Sequence, residues 1–467
     1  MPLTLPSFKS VIVGHDQKRS VDSTKEVTIS WALWLPLIWL FLVSTRSVSG
    51  WLRLGEPLER GKFRDISGGS SEDQVVLFTL LLLGIAILAN RRKYLSGLIG
   101  ANKWIVALFA YMLMSVAWSN FPELSWRRWI RSSGALVMVL VVLTEENPLE
   151  SILALLRRCY CIHLPFSIIA IKYIRNIGVD YGYDGSEEMW IGFTPHKNNL
   201  GQVAMSAGVV FFWSLLRNKS KGSVLLDVSC LLMALWLLIG SGASYSSTAR
   251  VGFLLGVALL LGLLYVKRNP GLAWRYAKVG LLLFGIVAGV IGVGAGFQDQ
   301  SSLMSFALEA MGRDATLTGR TGLWADILEN ASKNPLFGVG FGAFWVGPVG
   351  YDLYPLPNWS TVTPEWRPNE GHNGYLDAYV EVGMVGLCLT LGGILAAFRN
   401  IRYAMAIDFE YARIRAVFMF ILLVNNITES SLLKGTHSLW FLLLLFAINS
   451  SSKSSVLLAQ RPRQSAV

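Results

Sequence analysis

The stretch EGHNGYLDAYVEVGMVGL, residues 370–387, holds the side chains best suited to acid–base chemistry in a chain with only five histidines. His372 precedes an apolar segment, and Asp377 and Glu381 follow at a spacing that places both on one helix face. A histidine that is neutral near pH 7 can take a proton from a hydroxyl group. Acidic residues inside an apolar helix are costly and are functional by default. We therefore expect His372 to be a general base, with Asn373 and Glu381 as substrate-binding residues.

Basic residues at the ends of apolar segments form the second group of candidates. Arg250 ends the motif SSTAR, Arg320 lies in TGRTGLW, and Lys197 follows His196 in PHKNNLGQ. A guanidinium group can grip a phosphate through two parallel hydrogen bonds, so we expect Arg250 and Arg320 to bind a phosphate or diphosphate. Anchoring to lipid phosphates is the alternative role for these two arginines. We expect His196, Lys197 and Asn198 to bind substrate.

Membrane helices must position these residues. The chain is 53% hydrophobic and 15% charged, with a mean hydropathy of +0.47, whereas soluble proteins carry about 25% charged residues. Runs such as VVLFTLLLLGIAILA approach the ~20 apolar residues that a helix needs to cross a bilayer. Backbone amides in hydrocarbon must be paired, which favours helices. The sequence predicts an all-α polytopic membrane protein with about 12 transmembrane helices.

The distribution of lysine and arginine predicts the orientation of these helices. More than half of the 41 basic residues fall on the side of the N-terminus, which is therefore expected to be cytoplasmic, as is the C-terminus. The net charge of +11 thus reflects topology. We expect no nucleic-acid partner, because no basic stretch is interleaved with stacking aromatic residues.

The predicted organisation has five parts. They are a cytoplasmic tail (1–30), transmembrane helices one to nine (31–296), a large outer loop (297–372), transmembrane helices ten to twelve (373–450) and a cytoplasmic tail (451–467).

The large loop is expected to contain a short amphipathic helix from about Gly319 to Ser332. Thr318 is placed to cap it, and its apolar stripe comprises Leu323, Ile327, Leu328 and Ala331. Glycines at positions 338, 340 and 342 predict a turn after this helix.

Taken together, these motifs resemble the O-antigen ligase and polymerase superfamily of bacterial inner-membrane enzymes. The family pattern His-[Asn/Ser/Gln]-x9-Gly-x-x-Gly is matched by His372, Asn373, Gly383 and Gly386. PHKNNLGQ, SSTAR and TGRTGLW occur at matching places, and the resemblance covers roughly residues 190–450.

The ending of the pattern bears on the subgroup. Ligases often continue with two threonines, where this chain has Leu387 and Cys388. The pattern is therefore more similar to the exopolysaccharide polymerases of this group.

The resemblance implies the reaction and the partners. The donor would be a glycan on undecaprenyl diphosphate in the periplasmic leaflet of the inner membrane, and the acceptor a sugar hydroxyl. Arg250 and Arg320 would hold the diphosphate and stabilise its charge, and His372 would act on the acceptor. No metal and no other cofactor is expected, since the sequence has no Asp-x-Asp and no histidine pair at ligand spacing.

Three readings of the function remain open at this point. A polymerase would transfer the glycan to another lipid-linked repeat, and a ligase would transfer it to lipid A–core. A transporter or flippase for a lipid-linked glycan is the alternative from a different class. Other polysaccharide-assembly proteins are further candidate partners, besides the lipid bilayer.

Overall fold

The computed structural model of the protein describes residues 30–54, 70–181, 188–217, 221–241, 245–269, 320–362 and 368–450. The predicted span near 279–296, the predicted cap Thr318 and the predicted tails, apart from Ser30, lie outside these residues.

The described residues form a helical protein with one short antiparallel strand pair, β1 (Val179–Tyr181) and β2 (Glu188–Trp190). The helices of the first half are α1 (Trp34–Ser44), α2 (Val48–Leu52), α3 (Ser71–Asn90), α4 (Arg92–Ala101), α5 (Lys103–Met114), α6 (Pro122–Leu143), α7 (Pro148–Tyr173) and α8 (Arg175–Gly178). Those of the second half are α9 (Lys197–Arg217), α10 (Lys221–Ile239), α11 (Ser247–Arg268), α12 (Arg320–Ser332), α13 (Pro357–Val362), α14 (Gly374–Ala404), α15 (Phe409–Thr428) and α16 (Ser438–Ala447).

Several of these helices are suited to a bilayer. By length and composition, 6 of the described helices can cross a membrane, namely α3, α7, α9, α11, α14 and α15. A bent pair, Arg92–Ala101 with Lys103–Trp118, could add a seventh span, although its two parts meet at 88°. Shorter apolar helices lie at Trp31–Ser44, Ser223–Ile239 and Ser438–Ala447. The chain is thus an all-α multi-pass membrane protein, and the twelve-span topology stays a prediction.

Helices α9 and α15 lie at the centre of the bundle. Most of each helix is buried, and α15 packs against α11, α14 and α16, while α9 packs against α10, α11 and α7. Helix α14 also contacts α5 and the short helix α12. The ends of α9, α11, α12, α14, α15 and α16 that meet around His372 are brought together by this packing.

A break in α14 explains the first glycine of the family pattern. Gly383 has φ 64° and ψ −170°, a conformation essentially restricted to glycine. The helical ladder is interrupted there, and the segment 335–340 supplies replacement partners. The N–H groups of Met384 and Val385 donate to the carbonyls of Pro335 (2.9 Å) and Leu336 (3.1 Å). The break therefore fixes the loop between α12 and α13 to the bundle.

The approach of the two backbones is close enough to exclude any side chain. A Cβ atom on Gly383 would lie 2.3 Å from the Leu336 carbonyl oxygen, and one on Gly338 would lie 2.4 Å from the Glu381 carbonyl oxygen. Irregular backbone at membrane depth is tolerated where protein buries it and pairs its polar groups. Tyr111 adds a further bond, donating to the Val382 carbonyl at 3.0 Å.

Replacing Gly383 with alanine is expected to destabilise the fold. The backbone conformation would cost about 1–3 kcal/mol, and displacing the Leu336 carbonyl would add about 1–3 kcal/mol. Thermal unfolding in detergent would measure the loss. Gly97→Ala is the matched control, because a Cβ there meets nothing within 4 Å; equal melting temperatures for the two variants would contradict this assignment.

The predicted loop helix and the glycine turn are both present. Helix α12 begins at the first described residue, Arg320, and Leu323, Ile327 and Ala331 are buried. Leu328 was predicted to share this stripe, but it is 47% exposed, and Trp324 is buried instead. The indole packs inward because its N–H donates to the Gly371 carbonyl at 2.8 Å.

Candidate functional site

His372 lies in a strained turn at the start of α14. Its φ is +50°, in the left-handed region that non-glycine residues rarely adopt. Asn373 follows as the N-cap of α14, and its side-chain oxygen accepts the N–H groups of Tyr375 (3.1 Å) and Leu376 (3.2 Å). The cap starts the helix, and the strained turn directs the imidazole toward neighbouring helix ends.

Two carboxylates meet the imidazole. Nδ1 of His372 lies 3.2 Å from a Glu370 oxygen and 3.6 Å from a Glu429 oxygen. Glu429 directly follows α15 and is buried. Its backbone carbonyl accepts the Gly374 N–H at 3.1 Å, which ties the end of α15 to the start of α14.

Arg320 and Asn198 reach the same glutamate from two other helices. The Arg320 guanidinium donates to the Thr428 carbonyl at 2.6 Å and lies 3.7 Å from Glu429. The Asn198 side-chain amide donates to Glu429 at 2.9 Å. Helices α9 and α12 therefore contribute polar side chains to one place.

Lys434 completes the group from the segment before α16. Its amine lies 2.7 Å from the second Glu370 oxygen and 3.4 Å from Asp377. We call the following six residues the rim cluster: Asn198, Arg320, Glu370, His372, Glu429 and Lys434.

The ionisation of His372 is set by its neighbours. Burial alone would lower its pKa, but the contacts with Glu370 and Glu429 outweigh burial and raise the pKa of His372 to about 9. These contacts favour the protonated imidazole in the ligand-free protein, whereas the sequence led us to expect a neutral imidazole near pH 7. A base at this position must first lose a proton.

The rim cluster also contains the side chains that could approach a cation. One ligand atom each from Glu370, His372 and Glu429 lies within 4.8 Å of the others. Arg320 and Lys434 already approach the two carboxylates, so a metal ion would have to displace them or bear their repulsion. We do not assign these residues as metal ligands, and independence from metals stays a prediction.

Arg250 lies at the start of α11, next to the end of α10. Its guanidinium donates to the carbonyls of Leu238 (2.7 Å) and Ile239 at the end of α10, and it lies over the Tyr245 ring. Two residues earlier, Thr248 contacts the hydroxyl of Thr428 at 2.9 Å. Thr248 therefore joins the start of α11 to the end of α15, whereas the contacts of Arg250 itself lie at the end of α10 and on Tyr245.

Replacing Arg250 with lysine tests its predicted role as a diphosphate ligand. An amine cannot reproduce the two-pronged contact, so the KM for a lipid-linked donor should rise about 10- to 100-fold. Melting temperature must be measured in parallel, because the same guanidinium holds the end of α10. Arg127→Lys, in an exposed pair with Glu123, is the control. An unchanged KM for Arg250→Lys would favour anchoring at the membrane surface.

Of the remaining predicted residues, some lie beside the rim cluster and others lie away from it. The ring of His196 accepts the Asn198 N–H at 3.2 Å, so it lies directly beside the rim cluster at the start of α9, as does Lys197. Glu381 contacts the Gly342 N–H at 3.1 Å, which places it with the loop turn rather than with the rim cluster. Asp377 accepts the Gly371 N–H at 3.0 Å and steadies the turn that carries His372.

Three members of the rim cluster did not emerge from the sequence. Glu370 and Lys434 lie in short polar segments, and Glu429 follows an apolar run. The sequence patterns pointed to acidic residues inside predicted spans and to basic residues within motifs, and these three residues are in neither group. The signal that could have found Glu370 and Glu429 is a carboxylate at the outer end of a span, next to a candidate base.

Comparisons with known proteins match the part of the chain that holds most of these motifs. Residues 232–391 match the family described as O-Antigen ligase, a segment that contains SSTAR, TGRTGLW and the His372-to-Gly386 pattern. The chain is 29% identical over 324 residues to the exopolysaccharide production protein ExoQ of Rhizobium meliloti (strain 1021), covering 67% of this chain and 68% of that protein. Residues 232–391 are thus similar to the O-antigen ligase family, and about two thirds of the chain is similar to an exopolysaccharide production protein.

Proposed function

We propose that this protein is a membrane glycosyltransferase that joins an undecaprenyl-diphosphate-linked glycan to a sugar hydroxyl, acting as an exopolysaccharide or O-antigen polymerase. The observation that carries the proposal is the meeting of His372, Arg320 and Glu429 at one end of the bundle. Similarity to a protein named for exopolysaccharide production favours the polymerase over the ligase.

The proposed reaction is a displacement at the anomeric carbon of the donor. The acceptor oxygen forms a new bond to this carbon, and the bond from the carbon to the diphosphate oxygen breaks. The hydroxyl proton passes to Nε2 of His372, and undecaprenyl diphosphate leaves with the bonding electron pair. General-base assistance of this kind typically contributes about 10²–10⁴-fold to the rate.

The arginines would stabilise the leaving group. Negative charge grows on the bridging diphosphate oxygen as the bond breaks, and fixed cations lower the energy of that state. Arg320 is only 12% exposed, so its interactions are screened less by water than those of a surface cation. Its hydrogen bond to the Thr428 carbonyl keeps the guanidinium in place without a ligand.

The proposed orientation puts the rim cluster in the periplasm. With both termini cytoplasmic, the starts of α9, α12, α14 and α16 would face outward in the inner membrane. The apolar bundle would be open to the polyprenyl tail from the outer leaflet. Partners in this scheme are the lipid-linked donor, a glycan acceptor, the bilayer and other polysaccharide-assembly proteins.

The acceptor requirement tests the proposal against its alternatives. Purified protein in detergent would receive lipid-linked repeat alone, or repeat with lipid A–core, each with and without a chelator. A polymerase lengthens the glycan from the repeat alone, in both chelator conditions. Product that forms only with lipid A–core would make the protein a ligase, and loss of product with chelator would contradict metal independence. Transport without any new glycosidic bond would favour a flippase.

A further inference from the structure

Two strained turns face each other across the rim cluster. Within the residues that the structure describes, His372 (φ +50°) and Leu433 (φ +61°) are the non-glycine residues with positive φ. Such a conformation costs on the order of 1–3 kcal/mol and persists where the surrounding structure enforces it, often at functional sites. One turn presents His372 itself, and the other presents Lys434, the residue after Leu433. The strain is concentrated where these two side chains approach the same carboxylate.

Glu370 bridges the two turns. One carboxylate oxygen lies 3.2 Å from Nδ1 of His372, and the other lies 2.7 Å from the Lys434 amine. All three side chains are largely withdrawn from water, with exposures of 23% for Glu370, 19% for His372 and 26% for Lys434. Charges in such a place interact more strongly than on an open surface.

The carboxylate and the amine hold each other in the charged form. Burial would raise the pKa of Glu370, but Lys434 and His372 outweigh burial and hold it well below its usual range. Burial would likewise lower the pKa of Lys434, yet Glu370 and Asp377 raise it. Glu370 therefore presents a negative charge to one edge of the imidazole.

We propose that Glu370 and Lys434 form a positioning pair for His372. Glu370 holds the imidazole by Nδ1, which leaves Nε2 for the acceptor hydroxyl, and Lys434 fixes Glu370 and offsets part of its charge. A carboxylate that orients a histidine and favours one tautomer is a recurrent arrangement in nucleophilic enzymes. This inference rests on the proposed function, because it assigns the pair to the step in which His372 accepts a proton.

The charge environment of His372 comes from every neighbouring element. The groups that face it or its two carboxylates are Glu370 and Asp377 around the start of α14, Glu429 after α15, Arg320 on α12, His196 and Lys197 at the start of α9, and Lys434 and His437 before α16. A change at Glu370 or Lys434 alters this environment by one charge and leaves the other groups in place.

The pair can be tested by the pH dependence of kcat/KM for release of undecaprenyl diphosphate, followed between about pH 6 and pH 10. If neutral His372 is the base, activity rises with pH through its pKa. Glu370→Gln removes a charge that stabilises the imidazolium, so the rising limb should move to lower pH, with kcat reduced at least about 10-fold. Lys434→Met removes a repelling charge and should move the limb to higher pH.

Conservative and remote variants complete the design. Lys434→Arg keeps the positive charge, so the rising limb of its pH profile should stay at the pH of the unaltered protein. This variant keeps the test informative if Lys434→Met fails to fold. Glu123→Gln makes the same chemical change in the exposed pair with Arg127 and should leave the pH profile unchanged.

Opposite shifts for Glu370→Gln and Lys434→Met are the expected result. A rising limb at the pH of the unaltered protein in both variants would overturn the positioning role. A raised donor KM with an unmoved limb in Lys434→Met would overturn it in favour of donor binding by Lys434. Absence of release from the unaltered protein would instead refute the proposed function, so the two failures are distinguishable.

Discussion

Replacing His372 with alanine is expected to lower the release of undecaprenyl diphosphate by about 10²–10⁴-fold, the usual contribution of a general base. The imidazole is the one side chain of the rim cluster whose proton exchange is suited to accepting a hydroxyl proton, and two carboxylates stabilise the imidazolium that results. Because the side chain is 19% exposed, its loss should leave a small cavity and a modest change in stability.

A second histidine provides the control for this variant. His437 caps α16 by accepting the Leu439 N–H at 3.2 Å, and burial lowers its pKa to about 4. His437→Asn keeps a capping side chain and should retain most activity. Both variants should be present in the membrane in the same amount as the unaltered protein. Normal product from His372→Ala would refute the assignment of the base.

Replacing Arg320 with alanine is expected to lower kcat by about 10²–10³-fold, as seen when a preorganised donor is removed from a developing negative charge. The guanidinium is held against the Thr428 carbonyl and lies beside Glu429, so it is already in place before the donor binds. Its loss would remove a cation from the leaving group and one of the two basic groups that lie beside Glu429, the other being His372. Both effects oppose departure of a diphosphate.

Lysine at position 320 separates the contribution of the positive charge from that of the guanidinium geometry. Arg320→Lys should recover part of the rate, because a point charge remains, but not all of it, since the fork to carbonyl and phosphate is lost. Arg127→Ala changes an exposed arginine in a pair that contributes little. Full activity in Arg320→Ala, measured as kcat at saturating donor, would place the diphosphate elsewhere.

The helices and the principal side chains could be predicted because their signals are local. Continuous apolar runs indicated the helical class. The predicted cap Thr318 and the predicted apolar stripe indicated a helix that the structure places at Arg320–Ser332. His372 drew notice because a histidine and an asparagine precede a long apolar segment. Asn373 then proves to be the cap of that segment.

The partners of His372 depended on tertiary packing and could not be read from spacing. Glu429 and Lys434 are distant from His372 in sequence and reach it only because α14, α15 and α16 end at the same rim. The raised pKa of His372 depends in part on the same packing, because the carboxylates of Glu370 and Glu429 both raise it. Glu381 lies on α14, the helix that His372 precedes, but it contacts the loop turn at Gly342, because the break at Gly383 binds that loop.

If the rim cluster catalyses formation of a glycosidic bond with release of undecaprenyl diphosphate, the two products must appear together. The most direct test counts both products over time with purified protein and a lipid-linked repeat, for the unaltered chain and for His372→Ala. We expect one undecaprenyl diphosphate released for each new glycosidic bond, and near-complete loss of both products in the variant. New bonds at an unchanged rate in His372→Ala, or diphosphate release without glycan transfer, would contradict it.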